Sequence, residues 1–92
     1  MYINRRTFKT KTGAVSDLVK YLMEIRGDIP IKIYSPYIAP FDTLVFDIEF
    51  ESLDAFKKFW DEFNAAPESV QINAKWYSLV EPGGTNELWE VW

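Results

Sequence analysis

The chain has no cysteine and no histidine. Without cysteine there is no disulfide, no thiolate metal site and no thiol nucleophile. Without histidine, the commonest general base and the commonest metal and haem ligand are missing. Positive charge is also scarce: ten Lys and Arg stand against fourteen Asp and Glu, a net charge of −4. That balance argues against nucleic acid and anionic membrane surfaces, since both require clustered cations. No apolar run approaches the roughly 18–20 residues of a membrane span. The opening MYINRRTFKT lacks the apolar region of a signal peptide. These absences together predict a soluble, cytoplasmic protein without cofactor or metal, and without a nucleic-acid or membrane partner.

What is present is apolar and aromatic. Hydrophobic residues make up 48 % of the 92 positions and aromatics 17 %. That is a core-forming composition, not a disordered one. The length predicts a single domain spanning residues 1–92. A chain this short buries only roughly 60 % of its unfolded surface, so oligomerisation would add useful burial.

Tyr2 to Thr10 reads as a strand, broken at Thr12-Gly13. Val15, Leu18, Leu22 and Ile25 recur at helical spacing, with Val19 beside them and Asp17, Lys20, Glu24 and Arg26 off the stripe. Gly27 suits the position just past a helix end. Ile31 to Tyr34 is a short strand, and SPYIAPFD, with two prolines, a loop or edge segment. Thr43 to Glu51 alternates cleanly. Leu44, Phe46, Ile48 and Phe50 share one face, and Thr43, Val45, Asp47, Glu49 and Glu51 the other.

Ser52 is a good N-cap, and Asp54 favours the first turn of the helix that follows. That helix runs to about Ala65 and is stopped by Pro67, with Leu53, Phe56, Phe59, Trp60 and Phe63 in one arc. Gln71 to Val80 is read as a strand centred on Trp76 to Val80, EPGGTN as a turn, and Glu87 to Trp92 as a final strand. The predicted order is β-α-β-β-α-β plus an additional C-terminal strand. Both helices carry a single apolar stripe and so cover one face of a sheet, which is ferredoxin-like α+β layering. Its first and third strands are then neighbours, and Arg5 or Arg6 stands opposite Asp47 or Glu49. The helix-free face is mixed in polarity, which fits a partner sheet across a partly wet interface.

Two stretches resemble a known family. Arg6-Thr7-Phe8-Lys9-Thr10-Lys11-Thr12-Gly13 resembles the R-T-Y-T-L-K-P-G opening of NIPSNAP-like proteins, members of the dimeric α/β-barrel superfamily. FESLDAFKKFWDEFNAAPES is similar to that group's second helix, with Ala65-Ala66-Pro67-Glu68 at the equivalent end. Phe8 replaces the family Tyr, Thr12 the Pro, and Asn4 the Glu expected before the Arg-Thr pair. The resemblance implies a homodimer in which two sheets face each other as an α/β barrel, often with a pocket between helices and sheet. It implies no single activity, because relatives include cofactor-free monooxygenases, haem-degrading enzymes and isomerases. Haem-degrading relatives use an Asn, a Trp and a His, and this chain has no His.

Several residues are candidates for function, each with a plainer alternative. Phe56, Phe59, Trp60 and Phe63 either wall a pocket, with Trp60 foremost, or pack as core. Asp47, Glu49 and Glu51, about 7 Å apart in succession, either bind a hard cation or form a charged face paired with arginine. Arg6 either holds an anionic or enolate oxygen or makes a structural salt bridge. Asn4 and Tyr34 would add an amide and a phenol to the same cavity. Trp89, Val91 and Trp92 need cover, so the last strand is expected to cross to a partner subunit and bury them at the dimer interface. The leading expectation is a NIPSNAP-like homodimer binding a small apolar or aromatic ligand. The alternative is a cofactor-independent monooxygenase or isomerase acting on an aromatic or enolisable molecule. A cavity above roughly 300 Å³ reached by Arg6 and a Trp or Tyr would favour a ligand-handling role.

Overall fold

Alternation and amphipathicity produce a sheet with helices on one side. The computed structural model describes residues 1–92. Its elements are β1 (Tyr2–Thr10), α1 (Val15–Ile25), β2 (Ile31–Tyr34), β3 (Thr43–Phe50), α2 (Leu53–Ala65), α3 (Glu68–Leu79) and β4 (Val80–Glu90). The strands pair antiparallel in the order β2-β3-β1-β4. This is the ferredoxin-like arrangement. No helix is long and apolar enough to cross a membrane.

The core lies where the alternating face of β3 meets the helical stripes. Leu44, Phe46, Ile48 and Phe50 pack with Leu18 and Leu22 of α1, Trp76 of α3, Ile31 and Val80. Helix ends follow local chemistry. The Ser52 hydroxyl accepts from the Ala55 N–H at 3.0 Å, capping α2. Gly27 takes φ +55° just beyond α1, a left-handed conformation that glycine adopts without steric cost.

Two readings of the C-terminal third are corrected. Residues 71–79 are not a strand: they belong to α3, which begins after Pro67, and Val80 opens β4. The positions turned inward are Ser69, Ile72, Asn73, Trp76, Leu79 and Val80. That is helical spacing, but two of its members are polar, so hydrophobicity alone hides the stripe. The β preference of Trp76 to Val80 yields to packing on the sheet.

The predicted turn and final strand are, in turn, one strand, β4. There is therefore no additional strand beyond the four. Pairing shifts from Lys9↔Glu81 to Phe8↔Gly84, so Pro82 and Gly83 bulge out of the ladder. Proline is tolerated there because a bulge leaves its missing N–H without consequence. Glu87 to Glu90 pair with Tyr2 to Arg5 of the same chain. The Val91 N–H still donates to the Met1 carbonyl at 2.9 Å.

Candidate ligand cavity

A cavity of about 180 Å³ lies between the sheet and the helices. Thirteen of its sixteen lining residues are hydrophobic, so it is shaped for an apolar guest. Phe8, Phe46 and Ile48 form its floor, Leu22 and Ile25 one wall, and Phe59, Trp60 and Phe63 another. Trp76, Ile72, Asn73 and Tyr77 come from α3. The volume is below the roughly 300 Å³ of an ordinary ligand pocket. It matches the ~150 Å³ that accommodates benzene in an apolar core. A single ring matches that volume.

The α2 aromatic face serves both roles expected of it. Phe56 packs on Phe50 with ring centroids 5.6 Å apart and stays in the core. Phe59, Trp60 and Phe63 form an edge-to-face series, at 5.0 Å and 5.7 Å, along the cavity.

Arg6 and Trp60 are brought together as the sequence suggested. The Arg6 guanidinium carbon sits 3.6 Å from the Trp60 ring centroid, a cation–π contact contributing up to about 2 kcal/mol when desolvated. Arg6 takes part in none of the four ion pairs, and its buried Nε has no hydrogen-bond partner. The salt-bridge reading of Arg6 is thereby overturned. Burial pushes the guanidinium below its usual pKa, and the Tyr77 phenol works in the opposite sense.

Asn4 is fully buried and holds Trp60 in place from behind. Its Oδ1 accepts from the Trp60 Nε1–H at 3.0 Å. Its Nδ2 donates to Asn86 Oδ1 and to the Glu87 carbonyl, each at 2.8 Å. Asn4 supports the cavity wall and is not one of its lining residues.

Tyr34 is elsewhere, contrary to expectation. Successive strand residues face opposite sides, and Tyr34, like Arg5 and Asp47, lies on the helix-free face. Arg5 Nε and Nη2 donate to the two Asp47 carboxylate oxygens at 2.8 Å each, and the Tyr34 hydroxyl donates to Oδ2 at 3.0 Å. These bonds keep the Asp47 carboxyl below its ordinary pKa, Arg5 foremost, and raise the Tyr34 phenol above its own. Lys32 approaches Glu49 at 3.7 Å. Asp47 and Glu49 are thus paired with cations, Glu51 lies just past the end of β3 and is in none of the ion pairs, and the three do not gather as a metal site.

Trp89 and Val91 are partly exposed and Trp92 fully so. Trp89 stands opposite Ile3, on the helix-free face. Sequence reasoning missed the α3 contribution to the cavity because that segment was read as a strand. The inward spacing from Ser69 to Val80 was the available signal. Arg26 was also missed: it lines the cavity while donating to the Ile31 carbonyl at 2.6 Å.

No family profile matches the chain, and no curated protein matches it. Solved structures do share its fold. A NIPSNAP family protein with unknown function from Agrobacterium tumefaciens superposes with a TM-score of 0.83 at 23 % identity, covering 97 % of this chain and 86 % of that one. An uncharacterized NIPSNAP domain protein from Burkholderia xenovorans gives 0.84 at 12 % identity, covering 99 % and 94 %. An antibiotic biosynthesis monooxygenase gives 0.69 at 16 % identity, covering 99 % and 98 %. These likenesses show a shared ferredoxin-like fold, in keeping with the resemblance carried by residues 6–13 and the α2 segment.

Proposed function

We propose that this protein is a NIPSNAP-like homodimer that binds a small apolar molecule, one aromatic ring in size, in the cavity between sheet and helices. The observation that carries this reading is an apolar space of about 180 Å³ walled by Phe59, Trp60, Phe63 and Trp76. The lining includes no Asp or Glu, and the chain has no histidine. A bound molecule therefore meets no carboxylate or imidazole to take its proton, which favours binding over acid–base catalysis. Dimerisation is supported by Trp89 and Tyr34 on the helix-free face, together with the exposed Tyr37, Ile38 and Phe41 of the β2–β3 loop. A cytoplasmic location belongs to the same reading and rests on composition alone.

The alternative, a cofactor-independent monooxygenase or isomerase, is favoured by one feature. The Arg6 guanidinium, fixed against Trp60, is the group that would stabilise an enolate oxygen. Tyr77 is the only acid on the lining and would have to serve as proton acceptor.

The four tryptophans provide the test. Trp60 and Trp76 line the cavity, while Trp89 and Trp92 are exposed. In ¹⁵N-labelled protein titrated with benzyl alcohol or benzoate, the indole N–H signals of Trp60 and Trp76 should move. Movement confined to Trp89 and Trp92, or no movement, refutes occupation of the cavity.

A further inference from the structure

We infer that the ligand is a monoanion, an aromatic monocarboxylate of one ring, with its carboxylate received by Arg6. This rests on the cavity being a ligand site and adds the charge of what enters it. Two adjacent arginines make the contrast. Arg5 spends its guanidinium on Asp47 in a two-bond pair. Arg6, on the opposite side of the same strand, lines an apolar cavity with no anion beside it. A cation partly withdrawn from water without a counter-ion is costly, and Arg6 is half-buried with its Nε shielded from solvent. The Trp60 ring supplies part of the compensation.

The geometry determines what is left over. A cation–π contact uses the flat face of the guanidinium, and its N–H donors point outward in the plane. Stacking on Trp60 thus orients Arg6 without consuming its donors. The buried Nε–H remains without a partner. Trp60 is itself fixed by Asn4, and Asn4 by Asn86 and Glu87 of β4. The donor fork is therefore pre-set, and a planar carboxylate matches it with two parallel hydrogen bonds.

Charge counting narrows the class. One negative charge neutralises Arg6. A neutral guest would leave Arg6 without a counter-ion. Arg26, the other basic lining residue, is held by a bond to the Ile31 carbonyl while the Arg6 Nε has no hydrogen-bond partner, so Arg6 is the group free to receive a carboxylate. The space left by the apolar walls holds a single ring.

Benzoate and benzamide are nearly isosteric and differ in charge at pH 7. Their affinities can be read from the Trp60 and Trp76 indole signals in wild type and in Arg6→Met. Wild type should prefer benzoate by about tenfold or more, and Arg6→Met should lose that preference while still admitting benzamide. Thermal unfolding supplies a second readout. If Arg6 serves a ligand, Arg6→Met unfolds at the same or higher temperature and benzoate no longer raises it. Equal affinities in wild type, or an unchanged benzoate preference in Arg6→Met, overturn the charge assignment and leave the cavity reading standing. Failure of both probes to move Trp60 and Trp76 overturns both. A lower melting temperature for Arg6→Met together with equal benzoate and benzamide affinities in wild type makes Arg6 a structural anchor and also refutes the inference.

Discussion

Arg5 and Arg6 differ by one position along a strand, and that single step sends their side chains to opposite faces of the sheet. On the helix-free face Arg5 meets Asp47 directly across the β1–β3 ladder. The Asp47 side chain is 5 % exposed while that of Arg5 is 45 % exposed, so the bond is only partly shielded from water. Because the folded carboxyl lies below the unfolded pKa of about 3.9, its stabilising effect is complete above that pH. It is lost as pH falls through the folded value. Asp47→Asn should therefore cost about 1–3 kcal/mol at pH 7 and flatten the loss of stability below about pH 4. Urea unfolding at neutral and acid pH measures both effects, and a variant with an unaltered acid limb would contradict the assignment.

At the scale of elements, β4 depends on its bulge. Gly84 has φ +104°, and a Cβ added there would run into the Thr7 carbonyl oxygen. Gly83 has φ +114° but faces open space. Gly84→Ala should cost at least about 2–3 kcal/mol, combining backbone strain with displacement of β1. Gly83→Ala should incur the strain alone and lower the denaturation midpoint less. Equal effects would show that the close approach of the two strands does not matter. The bulge was not legible in Glu81-Pro82-Gly83-Gly84-Thr85-Asn86, because the same residues suit a tight turn. Only the length of β1 on the other side of the ladder requires the strand to continue. α3 was obscured for a different reason. Its inward face includes Ser69 and Asn73, and a polar residue that packs against a neighbour looks identical, in sequence, to one that faces water.

For the whole molecule, the unresolved demand is surface. Trp92 is fully exposed, Trp89 is 56 % exposed, and Tyr37, Ile38 and Phe41 each exceed 90 %. Exposed apolar area on this scale marks an interaction surface on a small chain. A dimer of twice 10.8 kDa is the expected species by light scattering. The double change Trp89→Ser and Trp92→Ser should shift it toward monomer without disturbing the Trp60 and Trp76 signals. Removing residues 87–92 would be a poor test, since residues 87–90 complete the ladder with β1. A double variant that stays dimeric over a wide concentration range would place the interface elsewhere.

The helix-covered sheet is written in local patterns of the chain. Period-two alternation in Thr43–Phe50 and the helical stripes of residues 15–25 and 53–65 are local patterns, and each dictates which face is buried. The sequence also put Arg5 or Arg6 opposite Asp47 or Glu49 and Arg6 among the cavity candidates with Trp60, because the ferredoxin-like order makes β1 and β3 neighbours. The tertiary structure alone decided that Arg6 has no counter-ion, that Tyr34 lies across the sheet from the cavity, and that α3 closes the space around Trp76. Those outcomes depend on distances between segments remote in the chain, and local periodicity does not encode distance.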